Sequence, residues 1–215
     1  MTSPIDDPIV KHYDAEAVHY DRRWRAYIDA TIEAVSQSLD LAGDERLLDA
    51  PCGTGALESW LRVRHPTVHV VGVDASRSML SLAKAKHSDV DYAWLNADVH
   101  RLPLDDGSFD VVVCANSFHC FDRPREVLVE FRRVLKPHGR LILLDWCDDF
   151  LLCKLCSVWF RFVDRAYRRM FTSAECRRLL AESGFRVRNE RRFRHRLVWG
   201  LMLFSVVRDD SLRED

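Results

Sequence analysis

The chain lacks any run of the roughly eighteen uncharged apolar residues that a membrane-spanning helix needs. Its opening, Met1-Thr2-Ser3-Pro4-Ile5-Asp6-Asp7, has no basic stretch followed by an apolar core, which argues against a secretory leader. Seven cysteines without such a leader fit reduced thiols and a cytoplasmic setting better than a disulfide framework. Net charge is nearly absent as well. Lys and Arg number 32 against 33 Asp and Glu, for a formal charge of -1, so no overall positive field draws the chain onto nucleic acid. No linker, repeat or low-complexity segment divides the 215 residues, a length that suits one domain with a full core. Cys153-Lys154-Leu155-Cys156 has the spacing of a metal or redox pair, but no second pair accompanies it, and no metal site is expected.

What the sequence does contain is a globular balance, 47% hydrophobic and 30% charged. Residues 11 to 40 place Ala17, Trp24, Tyr27, Ile28, Ile32 and Val35 at helical spacing, which predicts one or two opening helices. A short apolar strand, Arg46 to Ala50, then runs into a glycine turn, and a helical pattern with Leu57, Trp60 and Leu61 follows. The order repeats with a strand at Val68 to Val73, a helix near Ser78 to Lys86 capped by Ser76, and a strand around Asp91 to Leu95. Phe109 to Cys114 is strongly β, Pro124 opens a helix that stops at Pro137-His138-Gly139, and Arg140 to Asp145 returns to strand. Thr172-Ser173-Ala174-Glu175 has capping-box form and Gly184 supplies a stop. Alternation of this kind predicts an α/β fold with a doubly wound, mostly parallel sheet of seven strands. The last two strand-like runs, Phe185 to Phe193 and Leu197 to Val207, sit too close together to be parallel and predict an antiparallel hairpin at one edge. Arg186, Arg188, Arg191, Arg192, Arg194 and Arg196 read as a solvated face of that hairpin.

The first turn, Asp49-Ala50-Pro51-Cys52-Gly53-Thr54-Gly55, lets a ligand approach the backbone, because Gly53 and Gly55 carry no blocking side chain. A dinucleotide fingerprint would place a third glycine at position 58, where this chain has Glu58, so NAD and FAD are disfavoured. Asp49 offers a carboxylate near the strand end, suited to a cationic amino-acid group. Asp74 ends the second strand roughly 20 residues beyond Gly55, the distance at which an acidic residue accepts ribose hydroxyls. Asp98 follows the third strand and can accept from an adenine amino group, with Val99 packed on the base and Met79 covering its other face. His119, after the fourth strand, lies at the carboxyl end where open α/β sheets bind ligands and is the candidate base. Asp145 and Trp146 end the fifth strand and are expected to face the same cleft and meet substrate.

Taken in order, the glycine turn, Val71-Gly72-Val73-Asp74, Ala97-Asp98 with Leu102-Pro103 and Ser108-Phe109-Asp110, and Leu135-Lys136-Pro137-His138-Gly139-Arg140-Leu141 resemble the class I S-adenosylmethionine-dependent methyltransferases. The likeness is to the Rossmann-like, methyltransferase type 11 group that includes ubiquinone and menaquinone methyltransferases, and it covers about Arg46 to Asp145. It implies S-adenosyl-L-methionine as cofactor, with Gly53 and Gly55 along its methionine portion, Asp74 on the ribose, Asp98 on the adenine, and Tyr13 and Tyr20 of the N-terminal segment folded over it. It also implies one methyltransferase domain over 1–215. A helical cap at 1–45 and the cofactor-binding core at 46–145 precede a substrate lid at 146–171, and a final helix and hairpin fill 172–215. Trp159, Phe160 and Phe162 in the lid favour a small, hydrophobic or amphipathic acceptor reached by direct in-line displacement. Methylation of RNA or protein, and cofactor binding without catalysis, stay open as alternatives, as does peripheral contact with a membrane.

Overall fold

A computed structural model of the chain describes residues 7–154, 168–196 and 199–209. The segments that read as apolar runs are strands, and those at the centre of the sheet are buried on both faces, the situation of a parallel sheet covered by helices. In chain order they are β1 (Arg46–Asp49), β2 (His69–Asp74), β3 (Ala93–Asn96), β4 (Phe109–Ala115) and β5 (Leu135–Trp146), followed by β6 (Phe185–His195) and β7 (Trp199–Arg208). They form one sheet in the order β3-β2-β1-β4-β5-β7-β6. The first five run parallel, while β7 is antiparallel to both β5 and β6. The expected seven-stranded sheet with an antiparallel edge is therefore present, its final strand inserted between β5 and β6.

Successive strand residues point to opposite faces, so neighbours in sequence enter different cores. Leu48, Val112, Leu141 and Leu143 pack with Phe131 of α4 (Pro124–Val134) and Leu180 of α5 (Ser173–Glu182). On the other face Leu47, Val111, Val113 and Ile142 pack with Val35 and Leu39 of α1 (Pro8–Leu39) and Leu57 and Leu61 of α2 (Ala56–Arg64). The remaining helix, α3 (Arg77–Lys86), follows β2 and is capped by Ser76, whose hydroxyl accepts from Met79 N at 3.1 Å.

The opening segment is one helix, within the expectation of one or two, started by Asp7, whose side chain accepts from Ile9 N at 2.8 Å, and by Pro8 at its first position. One boundary differs from the sequence expectation. Helix α4 ends at Val134, and β5 begins at Leu135 instead of Arg140. Pro137 disfavours helix at the residue before it, and Leu135 pairs with Phe109 across a bulge. The capping box is present as expected, with Thr172 and Glu175 bonding each other's backbone N–H. The proposed lid falls largely on residues 155–167, Trp159, Phe160 and Phe162 among them, and Cys156 of the CxxC pair falls there too; these lie outside the described residues.

Phe131 is wholly buried between α4 and the sheet. Phe131→Ala is expected to lower the unfolding free energy by roughly 3–5 kcal/mol, read from urea unfolding; a loss under about 1 kcal/mol would show that this face does not hold the sheet.

Candidate active site

Strand order reverses between β1 and β4, which opens a crevice at the carboxyl ends of the central strands. Two turns shape it. In the first, Gly53 and Gly55 take φ of 54° and 77°, the left-handed region that glycine occupies without strain. A Cβ on Gly53 would meet nothing within 4 Å and would project into open space. Gly55 is different: a Cβ there would sit 3.0 Å from His87 Nε2 and 3.2 Å from Ala83 Cβ, so this glycine is required by the close approach of α3, not by a ligand. The second turn, after β2, is tied to the first through Asp74. Its Oδ2 accepts from Gly53 N at 2.8 Å and its Oδ1 from Ser76 N at 2.8 Å.

Helix α1 is pinned across both turns by two aspartates. Asp14 Oδ1 accepts from Ser76 Oγ at 2.6 Å and from Ser78 N at 3.0 Å, at the start of α3. Asp21 accepts from Thr54 Oγ1 at 2.5 Å and pairs with Lys86 at 2.6 Å. Tyr13 and Tyr20, each one residue before an anchoring aspartate, meet edge to face with centroids 6.1 Å apart and both border the crevice. The sequence reading picked out the tyrosines and passed over Asp14 and Asp21. The repeat His12-Tyr13-Asp14 and His19-Tyr20-Asp21, spaced two helical turns apart, was the available signal.

The result is a cavity of about 260 Å³. Of the residues singled out from the sequence, Asp49, Gly53, Asp74, Met79, Asp98, Val99 and Tyr20 border it. Gly55, His119, Asp145 and Trp146 do not. Asp145 and Trp146 were expected to face substrate, but Asp145 is fully buried and committed to His119. Its Oδ2 accepts from His119 N at 2.8 Å and its Oδ1 contacts His119 Nδ1 at 2.7 Å. The imidazole lies flat on the Trp146 ring, centroids 4.1 Å apart, and Trp146 in turn stacks on Trp199. Burial opposes a charge on His119, but Asp145, with a smaller contribution from Cys120, overrides it and raises its pKa well above the usual histidine value. His119 thus stands behind the cavity wall as half of an ion pair, next to Cys120, which does border the cavity.

Beneath the glycine turn three carboxyl groups are buried together. Burial is the main reason that Asp74 is pushed up to about 6, Glu58 to about 8, and Asp49 well above the carboxylate range; the charge of Asp74 adds to the shift of Glu58, those of Glu58 and Asp74 to that of Asp49, and that of Asp14 to that of Asp74. Asp74 has its hydrogen bonds, whereas both oxygens of Glu58 are buried without a partner. A cationic ligand group in the cavity beside them would favour their ionised forms. The arrangement suits a ligand with an ammonium or sulfonium charge, a vicinal diol and an adenine.

For Glu58 the linkage runs against stability at high pH. Its folded pKa lies above its unfolded value, so the native state holds more protons between about pH 4.5 and 8 and loses stability as pH rises through that window. Glu58→Gln is expected to match wild type in urea unfolding near pH 5 and to exceed it at pH 9; parallel curves from pH 5 to 9 would contradict the buried-acid assignment.

Comparison with known proteins follows the same lines. Residues 48–143 match the family model for a methyltransferase domain. The chain is 39% identical over 128 residues to a demethylmenaquinone methyltransferase of Thermus thermophilus, covering 59% of this chain and 55% of that protein. It is 35% identical over 151 residues to the ubiquinone/menaquinone biosynthesis C-methyltransferase UbiE of Syntrophotalea carbinolica, covering 67% and 61%. The chain thus spans little more than half the length of these relatives. Among solved structures it is similar to the complex between the Haloferax volcanii Trm112 methyltransferase activator and a methyltransferase, with a TM-score of 0.79 at 20% identity over 92% of this chain and 97% of that one. That likeness concerns the fold. Sequence motifs, sheet order and family model agree that residues 48–143 carry a methyltransferase domain, similar to the class I enzymes that use S-adenosyl-L-methionine.

Proposed function

We propose that this chain transfers the methyl group of S-adenosylmethionine to a small acceptor with an apolar body. The observation that carries the reading is the cavity itself, in which one wall holds acidic groups and a glycine without a side chain, and the other is built from Val10, Tyr13, Tyr20, Ile28 and Ile32 of α1. The cofactor, when bound, supplies a methyl group already activated by the sulfonium charge. The work left to the chain is to bind, to align and to keep water out, and alignment can supply ~7–11 kcal/mol of a barrier in favourable cases.

In this reading Gly53 allows close backbone approach, and Asp49 faces the cationic end with Glu58 buried behind the wall. The remaining lone pairs of Asp74 accept the ribose hydroxyls, and Asp98 accepts from the adenine amino group between Met79 and Val99. Tyr13 and Tyr20, held by the docking of α1, cover the crevice. His119, behind the cavity wall and committed to Asp145, is out of reach of an acceptor as a base and acts in this reading by holding the neighbouring Cys120 in the wall. The named relatives, which carry demethylmenaquinone and ubiquinone/menaquinone in their names, support an amphipathic ring as the first acceptor class to try. Among the described residues no helix is long and apolar enough to cross a membrane, so such an acceptor would be met from a peripheral position or in solution.

Incubation with methyl-labelled S-adenosylmethionine and a panel of quinols, phenols, RNA and protein tests this directly. Label is expected on a quinol or phenol, and Asp74→Ala, checked for folding by its thermal melt, is expected to weaken cofactor binding at least tenfold. Label on RNA or protein alone would replace the small-acceptor reading, and unchanged affinity in Asp74→Ala would remove that carboxylate from the site.

A further inference from the structure

We infer that His100 sets which nucleobase the cavity accepts, by fixing the carboxylate of Asp98 so that one oxygen alone is offered to the ligand. The inference rests on Asp98 contacting the base of the cofactor, as proposed above, and adds a specificity-determining residue to that contact.

Asp98 Oδ1 receives two hydrogens from the same residue, the backbone N–H of His100 at 2.9 Å and its ring Nδ1 at 2.6 Å. A carboxylate oxygen offers about two acceptor positions, so Oδ1 is fully used. Oδ2 is left for a donor from the cavity. The imidazole is held from one further side, where its edge meets the Phe121 ring at 73° with centroids 6.0 Å apart. Its Nε2 lies 3.1 Å from Asp122 Oδ1 without forming a hydrogen bond. The side chain is only 13% exposed, while that of Asp98 is 37% exposed and borders the cavity with Phe121 and Asp122. Two donors from His100 also lower the pKa of Asp98, which keeps the group an acceptor without a proton to give.

An acceptor-only carboxylate oxygen locked in one orientation distinguishes two bases that differ in a single group. The 6-amino group of adenine donates to it. The 6-oxo group of hypoxanthine presents lone pairs to it and is repelled, and a fixed carboxylate cannot turn aside to let water intervene. Without the imidazole, Asp98 keeps only the single bond from the backbone N–H of residue 100, about which its partly exposed carboxylate can turn and be hydrated. The loop itself does not need His100, since Arg101 N bonds Asp98 O at 3.0 Å and Leu102 N bonds Glu130 Oε1 at 2.7 Å.

Titration of wild type, His100→Ala and His100→Asn with S-adenosylhomocysteine and with S-inosylhomocysteine tests the inference by affinity alone. Wild type is expected to prefer the adenosyl ligand by tenfold or more. His100→Ala should lose most of that preference, through a roughly tenfold weaker adenosyl affinity with the inosyl affinity unchanged. His100→Asn, which keeps a donor close to the Nδ1 position, should restore the preference to within about threefold of wild type. Equal loss for both ligands in His100→Ala, no loss at all, or failure of Asn to restore would overturn the role given to His100. A folded wild type that binds neither ligand would instead remove the adenosyl site on which the inference rests.

Discussion

The carboxylate of Asp74 is the one group on which the rest of the site depends. It receives Gly53 N from one turn and Ser76 N from the other, so the turns that follow β1 and β2 are joined by a single buried side chain. Ser76, positioned by this bond, caps α3 and donates to Asp14 of α1. The covering helix, the glycine turn and the start of α3 are therefore one hydrogen-bonded unit. A buried carboxylate is costly unless its acceptor positions are met, and Asp74 meets part of that requirement from the backbone while leaving lone pairs toward the cavity. That combination, half satisfied by the fold and half open, is what a hydroxyl-binding group needs.

Two buried acidic arrangements in the same domain show what satisfaction means for function. Asp145 and His119 neutralise each other within hydrogen-bond distance and stack against Trp146, so they form a closed pair with little to offer a ligand directly. Breaking such a pair by removing one partner leaves an uncompensated charge and is far more damaging than the pair is stabilising. Glu58, Asp49 and Asp74 are the reverse case, three acids crowded under the glycine turn with no basic partner bonded to Glu58. Burial and crowding favour their protonated forms, and a positive ligand beside them would favour the ionised ones. Acidic groups on one side and tyrosine and aliphatic side chains on the other give the crevice a direction, and the proposed binding mode would set the cationic end of the cofactor at the glycine turn.

Much of this was legible in the sequence because it is local. The parallel strands are unbroken apolar runs, Ser76 and Thr172 carry their caps within three residues, and the glycine turn with Asp74 and Asp98 follows strand ends at a regular spacing. The parts that were not legible depend on contacts between distant residues. Asp14 and Asp21 reach partners more than thirty positions away, and their Tyr-Asp repeat drew notice to the ring and not to the carboxylate. Gly55 was read as facing a ligand, whereas its neighbour is His87 at the C-terminal end of α3, a packing relation that no local pattern contains. Asp145 and Trp146 were placed in the cleft by strand position alone, and the short turn carrying His119 folds between them and the cavity. His100 went unnoticed because a histidine two residues after an aspartate has no meaning until the loop closes around both.

The central claim is that this crevice recognises S-adenosylmethionine and not a dinucleotide. Isothermal titration of the folded chain with S-adenosylmethionine, and separately with NAD, tests it most directly. Saturable heat with the first and none with the second is the predicted outcome. Binding of NAD, or no binding of S-adenosylmethionine by a sample whose thermal melt shows it to be folded, would contradict the account.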